Sequence, residues 1–501
     1  MGEALKIMTG ANHNCQMKYD PTQRQFVVFL LVHFIFWMLI SFTRDIPHYD
    51  STEALTWGLT WEWGTNKHPP LSNWLVEAAF RVLGDPAWAV YLLGQICVMI
   101  AFIFIHRLAL GFLAPEIALF CVLFLEGTIY YNFNTLEYNV NVLSLALVPV
   151  IIYLFKQALQ TGRQLYWLAA GLSGGFALLT KYTNGLVLLA LGFYLLLTSE
   201  GRARLKSFGP WLAVAVAGFL FLPHGLWLAQ YDFLPLRYSQ DKVSPISFHL
   251  LKNALEPLRL LGAQLGNAAV SLSLFAYLYF QTPAPLRGGW RWPDSFLAAA
   301  GVLPLLFLLG IVALTGINAS TKWAYAFMGY FPLLLFIVFP VTPPLEIRRR
   351  AIILTYVVML AFGLGCLIKN VGFTAATTNV NGRSFAVAMK TAWTSETTAP
   401  LLYVGGAIHL VSRASTYLPE RPRPFFDMDP NVTVWEDEKK VLATGLLVLA
   451  NTSDEYDSYQ RRYPVLPKAR HLAFPLRAPF GRPAVIDVYY GIIKPEGAPE
   501  K

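Results

Sequence analysis

Charge is scarce in this chain: of its 501 residues only 14% are Asp, Glu, Lys or Arg, where soluble domains carry about 25%. Apolar residues make up 55%. Runs such as Phe26–Phe42, Trp88–Ile105, Leu168–Leu179, Leu186–Leu197, Phe296–Leu314 and Ala351–Ile368 approach or exceed the ~18–20 residues that cross a hydrocarbon core as helix. Buried helices of a soluble protein keep a polar face, and several of these runs have none. Cysteine is also sparse. Cys97, Cys121 and Cys366 sit in or beside apolar runs, Cys15 lies near the start, and the polar C-terminal region holds none, which excludes a disulfide framework. There is no Gly-x-x-x-x-Gly-Lys loop, no Cys-x-x-Cys and no His-Glu-x-x-His, which argues against an ATPase, a structural zinc site and a zinc protease. The basic loops lack an Asp-x-Asp nucleotide-sugar site. The match at Asp427-Met428-Asp429 lies in the C-terminal region and reads as a turn. No small-residue cleavage site follows the first apolar run, so that run is read as a retained span.

What is present divides into about eleven spans, at 26–43, 88–106, 115–131, 139–156, 165–180, 184–198, 210–229, 262–281, 296–315, 323–340 and 351–370. The net charge of +9 could suggest nucleic acid, but the basic residues cluster in short loops between spans. With a cytoplasmic N-terminal segment 1–25, the inside loops hold Arg107, Lys156, Arg163, Arg202, Arg204, Lys206, Arg287, Arg291 and Arg348–Arg350, as the positive-inside rule asks. That topology puts the segments 43–87, 132–138, 230–261 and everything after about Asn370 outside. The expected fold is mainly α: a polytopic helix bundle over 26–395 with a small soluble α/β domain at 396–501. In the first outer loop, 43–87, Trp57, Trp61, Trp63 and Trp74 suit amphipathic helices at the membrane interface.

Chemistry-bearing side chains gather on the outer face. Asp50 and Glu53 follow the first span and share a face if helical; carboxylates beside apolar surface suit general-base work. They equally suit a capping box, with Asp50 as N-cap and Glu53 at the reciprocal position. Lys67 and His68 precede Pro69-Pro70, a rigid step that would aim both cations at an anionic group. Glu137, Asn139 and Asn141 lie in the next outer turn, where helix capping is the plainer reading. Lys181, His224, Arg237 and Lys322 sit at outer edges; cations there would neutralise a leaving phosphate or reach lipid headgroups.

An acidic pair after the first span, a Trp-Gly stretch, then Lys67-His68-Pro69-Pro70-Leu71-Ser72-Asn73-Trp74-Leu75 resembles the GT-C superfamily of membrane glycosyltransferases. The likeness runs toward bacterial relatives of protein O-mannosyltransferases and of lipid A aminoarabinose transferases. It implies an inverting enzyme of the bacterial inner membrane, with N-terminus cytoplasmic and site and C-terminal domain periplasmic. Sugar would pass from a polyprenyl-phosphate carrier to a cell-envelope acceptor: lipid A, a polysaccharide, another lipid or a protein. Asp50 or Glu53 would take the acceptor's proton. Membrane lipids are implied as partners and nucleic acid is not; no cofactor is required, with room left for a divalent metal ion. The chain departs from the family pattern twice. Asp50-Ser51-Thr52-Glu53 stands where adjacent Asp-Glu is common, and Lys67-His68 stands where an acidic residue and lysine precede Pro-Pro. The rival is a lipid or sugar transporter or flippase, whose binding groups would sit near the midplane rather than in outer loops.

Overall fold

In a bilayer the backbone must satisfy its own polar groups, so long apolar runs without a polar face become helices. The computed structural model describes residues 21–241, 250–371, 378–477, 480–481 and 484–497. Most of the expected segment 1–25 and part of the loop 230–261 lie outside the described residues. Among the described residues, five helices are long and apolar enough to cross a membrane: α1 (Pro21–Ser41), Pro86–Ala109, Val140–Thr161, Phe208–Gln230 and Leu345–Val371. Four further runs are bent pairs, Pro115–Gly127 with Ile129–Leu136 (88°), Tyr182–Leu197 with Ser199–Leu205 (96°), Leu251–Asn267 with Ala269–Gln281 (62°) and Ser295–Gly301 with Leu303–Thr315 (45°). The shorter helices Gln164–Leu178 and Tyr325–Val338 match the two remaining runs. The chain is a multi-pass membrane protein, and each of the eleven expected runs has its helical counterpart.

The breaks have local causes. Past Leu123 the α-helix gives way to the 3-10 turns Phe124–Gly127 and Ile129–Tyr131, and the Asn132 amide donates to the Glu126 and Thr128 carbonyls at 2.7 and 3.2 Å, bracing the bend between them. A buried polar pair faces the same segment: the His33 ring and Trp37 Nε1 both bond Glu126 Oε1, tying α1 to the broken span.

The first outer loop folds into α2 (Tyr49–Gly58) and α3 (Leu71–Leu83). Gly58 permits their contact, since a Cβ there would lie 2.4 Å from the Asn73 carbonyl oxygen. Neither the sheet nor its helices leave α2 lying open at the interface: Ser51–Gly58 are all buried. The C-terminal region covers it. There β1 (Tyr403–Gly406), β2 (Arg423–Phe426), β3 (Leu446–Ala450), β4 (Arg470–Pro475) and β5 (Val485–Ile493) form one sheet in the order β2-β1-β3-β5-β4. β1 pairs parallel with β2 and β3, and β5 runs antiparallel to β3 and β4. Helices Gly382–Glu396 and Ile408–Tyr417 pack one face of the sheet through Phe385, Met389, Trp393, Leu410 and Val411, and this core takes in Ile46 and Trp57 from the first loop. The expected division at 396 falls just after the first of these helices. Arg421 completes the docking with a two-pronged bond to Glu77 of α3, at 3.2 and 3.0 Å.

Candidate functional site

Helix α2 is capped by His48, whose Nδ1 accepts the Asp50 N–H at 3.3 Å. Asp50 is therefore not the cap, and the capping-box arrangement does not form. Its carboxylate instead pairs with Lys322 Nζ at 2.9 Å. One turn on, Glu53 pairs with Lys67 Nζ at 2.6 Å. The two ion pairs face one cavity of about 980 Å³ at the end of the bundle that the C-terminal domain roofs. Asp50, Glu53, Lys67, His68, Asn139, Asn141, Lys181 and Lys322 all line it.

The three lysines of the cavity differ in how their charge is balanced. Burial opposes the Lys67 charge, but the Glu53 carboxylate, by field and hydrogen bond, holds its ammonium above the ordinary lysine value. Lys322 behaves alike: burial is outweighed by Asp50 and Glu137. Lys181 differs. Among the described residues its Nζ donates to neutral oxygens alone, Asn141 Oδ1 at 2.8 Å and the Lys322 carbonyl at 2.9 Å. Burial, with the nearby Lys322 charge, pushes its pKa down to about 7. An arriving phosphate would restore the missing counter-charge.

Glu137 stands behind the cavity wall, 3.3 Å from the His48 ring and from Asn139 Nδ2. Burial works against its charge, but His48, Lys322 and Arg44 hold its pKa below the usual carboxylate range. Asn139 is the N-cap of Val140–Thr161, accepting the Asn141 and Val142 N–H groups, and also lines the cavity. His48, Asp50 and Glu137 offer ligand atoms within 4.8 Å of one another, so they could hold a divalent ion. Lys322 already takes Asp50, however, and an ion there would compete with its ammonium. His224 lies off the cavity, buried between the Trp63 carbonyl (2.5 Å) and the Tyr182 hydroxyl (3.0 Å), where it ties a span to the first loop. Arg237 lines an adjoining cavity of about 520 Å³ with Tyr231 and Tyr238.

Residues 67–227 match the family described as dolichyl-phosphate-mannose-protein mannosyltransferase. Lipopolysaccharide core galacturonosyltransferase RgtB of Rhizobium johnstonii is 25% identical over 281 residues, which is 54% of this chain and 56% of that protein. The chain thus aligns with little more than half the length of this curated relative. The structure of ArnT from Cupriavidus metallidurans bound to undecaprenyl phosphate superposes with a TM-score of 0.60 at 12% identity, over 95% of this chain and 99% of that one. The apo state of the same protein gives 0.50 at 14% identity over the same shares. The chain has the fold of the GT-C membrane glycosyltransferases. The matched stretch opens at Lys67, runs through Glu137 and Lys181 and ends just past His224. Asp50, Glu53 and Lys322 lie outside it, and the GT-C fold alone brings them to the cavity.

That fold also brings in side chains that were not expected at the site. Trp57, Asn73, Tyr238, His409, Asp427, Asn451 and Glu455 line the same cavity. Ala407, Asp427 and Asn451 each immediately follow the carboxyl end of a parallel strand, β1, β2 and β3. Ligands of parallel sheets collect at that edge, a signal usable only once the strand order is known.

Proposed function

We propose that the chain is an inverting glycosyltransferase that takes a sugar from a polyprenyl-phosphate carrier and passes it to a cell-envelope acceptor at the outer face of the bacterial inner membrane. The observation that carries this reading is the single cavity in which the Asp50–Lys322 and Glu53–Lys67 ion pairs meet Lys181. The likeness to a fold solved with undecaprenyl phosphate supports the lipid-linked donor.

The proposed reaction uses these groups in one displacement. Asp50 takes the proton of an acceptor hydroxyl while that oxygen bonds the anomeric carbon from the face opposite the leaving group. The bond from that carbon to the phosphate oxygen breaks, and its electron pair stays on the phosphate. Lys67, Lys181 and Lys322 offset the charge left on polyprenyl phosphate. Glu53 holds Lys67 in place and is the alternative base. General-base help of this kind contributes about 10²–10⁴-fold. A divalent ion, if bound at His48, Asp50 and Glu137, would add Lewis-acid stabilisation; the displacement above uses only the chain's own groups.

The test is incubation of the purified chain with extracted polyprenyl-phosphate sugars, with mass spectrometry following sugar loss from the carrier and gain by an acceptor. Transfer from a soluble nucleotide sugar in detergent free of carrier lipid would overturn the donor assignment.

A further inference from the structure

The end of the bundle away from the large cavity carries a charged groove of its own. Arg44, just after α1, donates to Asn370 Oδ1 near the end of Leu345–Val371 at 3.3 Å, so these two helices finish together on the α2 side. They begin together, at Pro21 and Leu345, about 30 Å away. A cavity of about 240 Å³ opens there between α1, Pro115–Leu123 and Leu345–Val371, lined by Glu116, Arg348 and Arg349. A second, of about 510 Å³, is lined by Arg24, Val28, Leu123 and Tyr356. Pro21, Gln25, Leu119 and Ile352 line both, so the two adjoin as one groove. Its chemistry changes along its length. Arg24 and Val28 are four apart on α1, and Arg348, Ile352 and Tyr356 follow at the same spacing on Leu345–Val371, so each face is charged at the helix start and apolar one turn further in. Glu116, Leu119 and Leu123 repeat the pattern on the third helix. Arg348 Nη1 lies 3.4 Å from Glu116 Oε1, whereas Arg24 and Arg349 are exposed and have no ion pair among the described residues.

We propose that this groove binds an anionic phospholipid, with the headgroup phosphate at Arg24 and Arg349 and one acyl chain along Val28, Leu123 and Tyr356. The change from charge to hydrocarbon selects the occupant. A free phosphate would use the arginines alone and leave the apolar part in water, whereas a phospholipid matches both. Guanidinium groups bind phosphate oxygens in pairs, and basic pockets between spans take anionic headgroups. Glu116 would oppose a phosphate, but Arg348 already faces it, which leaves the other two arginines in excess. A zwitterionic headgroup brings a cation that this excess repels. Arginines at span ends commonly reach lipid phosphates without any built site. Here they stand over a floor formed by Leu119 and Leu123, 2% and 1% exposed, which headgroup contact alone does not require. The groove is open to the bilayer, since Val28 is 45% exposed and only 28% of the apolar window of Leu345–Val371 is buried in the bundle. None of these residues lines the large cavity, so the site is independent of the proposed transfer.

The test is native mass spectrometry of the full-length protein in detergent, with phosphatidylglycerol and phosphatidylcholine of identical chains added together. Phosphatidylglycerol should be retained at least about fivefold over phosphatidylcholine, the worth of roughly one basic residue at an anionic surface. Arg24→Gln and Arg349→Gln should each weaken phosphatidylglycerol by about fivefold and leave phosphatidylcholine unchanged. Val28→Trp fills the apolar part with every arginine in place and should also weaken phosphatidylglycerol. Leu360→Trp, at an apolar position of Leu345–Val371 that is 56% exposed and outside the groove, should not. The soluble headgroup glycerophosphoglycerol should fail to displace the bound lipid. Equal retention of the two lipids would overturn the proposal, as would undiminished phosphatidylglycerol in the double variant Arg24→Gln/Arg349→Gln. Displacement by glycerophosphoglycerol, or the same loss in Val28→Trp and Leu360→Trp, would overturn the acyl-chain groove and leave a surface phosphate contact in its place.

Discussion

At the scale of single residues, the choice between Asp50 and Glu53 turns on what each carboxylate is already doing. Glu53 is the more buried, with 6% of its side chain exposed, and its bond to Lys67 is the shorter of the two ion pairs. Asp50 is more open at 22% and can meet an incoming hydroxyl with less rearrangement. Asp50→Asn should therefore lower kcat at least about a hundredfold while donor binding persists, whereas Glu53→Gln should act mainly through Lys67 and raise the donor KM. Near-normal turnover in Asp50→Asn beside a dead Glu53→Gln would exchange the roles. Lys181 gives a pH prediction. Its pKa is depressed to about 7, so the ammonium is present below that pH and lost as pH rises through it. The donor phosphodiester keeps one charge throughout this range. Its KM should thus climb above about pH 7, by up to about tenfold per unit, and Lys181→Met should show a weak KM without that slope. The charged members of the site were legible because charge is rare here and its outer-loop positions stand out. Trp57 was expected at the membrane interface, and its burial at the cavity was not legible because the C-terminal residues that cover it lie far along the chain.

Among the elements, α2 decides the geometry, because it carries Asp50 and Glu53 and is held from two sides. Below it lies α3; above it lies Ile408–Tyr417, whose Ser412 carbonyl accepts the Thr56 hydroxyl at 3.3 Å. Sequence patterning indicated amphipathic helices in the first loop. It could not reveal that α2 is buried rather than lying at the interface, since its cover comes from residues hundreds of positions away. The Arg421–Glu77 bond is the polar fastening of that cover. Glu77 is 1% exposed, so Arg421→Ala leaves a buried carboxylate with only Arg81, whose Nε lies 2.9 Å away on the more exposed side. Breaking such a pair costs about 3–5 kcal/mol, and the residual Arg81 contact places this case near the lower end. We expect a lowered melting temperature and faster proteolysis of the C-terminal domain. The double variant Arg421→Ala/Glu77→Gln should regain part of the loss, because the amide carries no unpaired charge. Unchanged melting in Arg421→Ala would mean that the apolar core around Ile46 and Trp57 fastens the domain alone.

For the whole molecule, the apolar runs were readable one by one because a bilayer demands continuous apolar length, but the bends were not. They depend on side chains such as Asn132 bracing the turn, which leaves hydropathy unchanged. The relative sidedness of the loops follows from contacts. Asp50, Asn139, Lys181, Tyr238, Lys322 and His409 come from six separate stretches of chain and meet at one cavity, so those stretches share a side. The alternate loops also meet one another: Arg204 donates to the Leu159 carbonyl, Arg348 lies 3.4 Å from Glu116, and Arg287 bridges to Val341. Contacts of this kind do not say which end faces the cytoplasm. The proposed orientation rests on charge: the second set carries Arg107, Lys156, Arg163, Arg202, Arg204, Lys206 and Arg348–Arg350, the excess expected of cytoplasmic loops. Some of these arginines also bond helix-end carbonyls, as Arg202 does to Leu197 at 2.9 Å, yet such bonds are available at either end of a bundle and do not explain the bias. Topology reporters fused after Lys206 and after Lys501 should accordingly report cytoplasm and periplasm. The same side for both would contradict the contact pattern itself. Opposite sides in the reverse order would keep the fold but turn the cavity toward the cytoplasm, removing the outer-face acceptor from the proposed reaction.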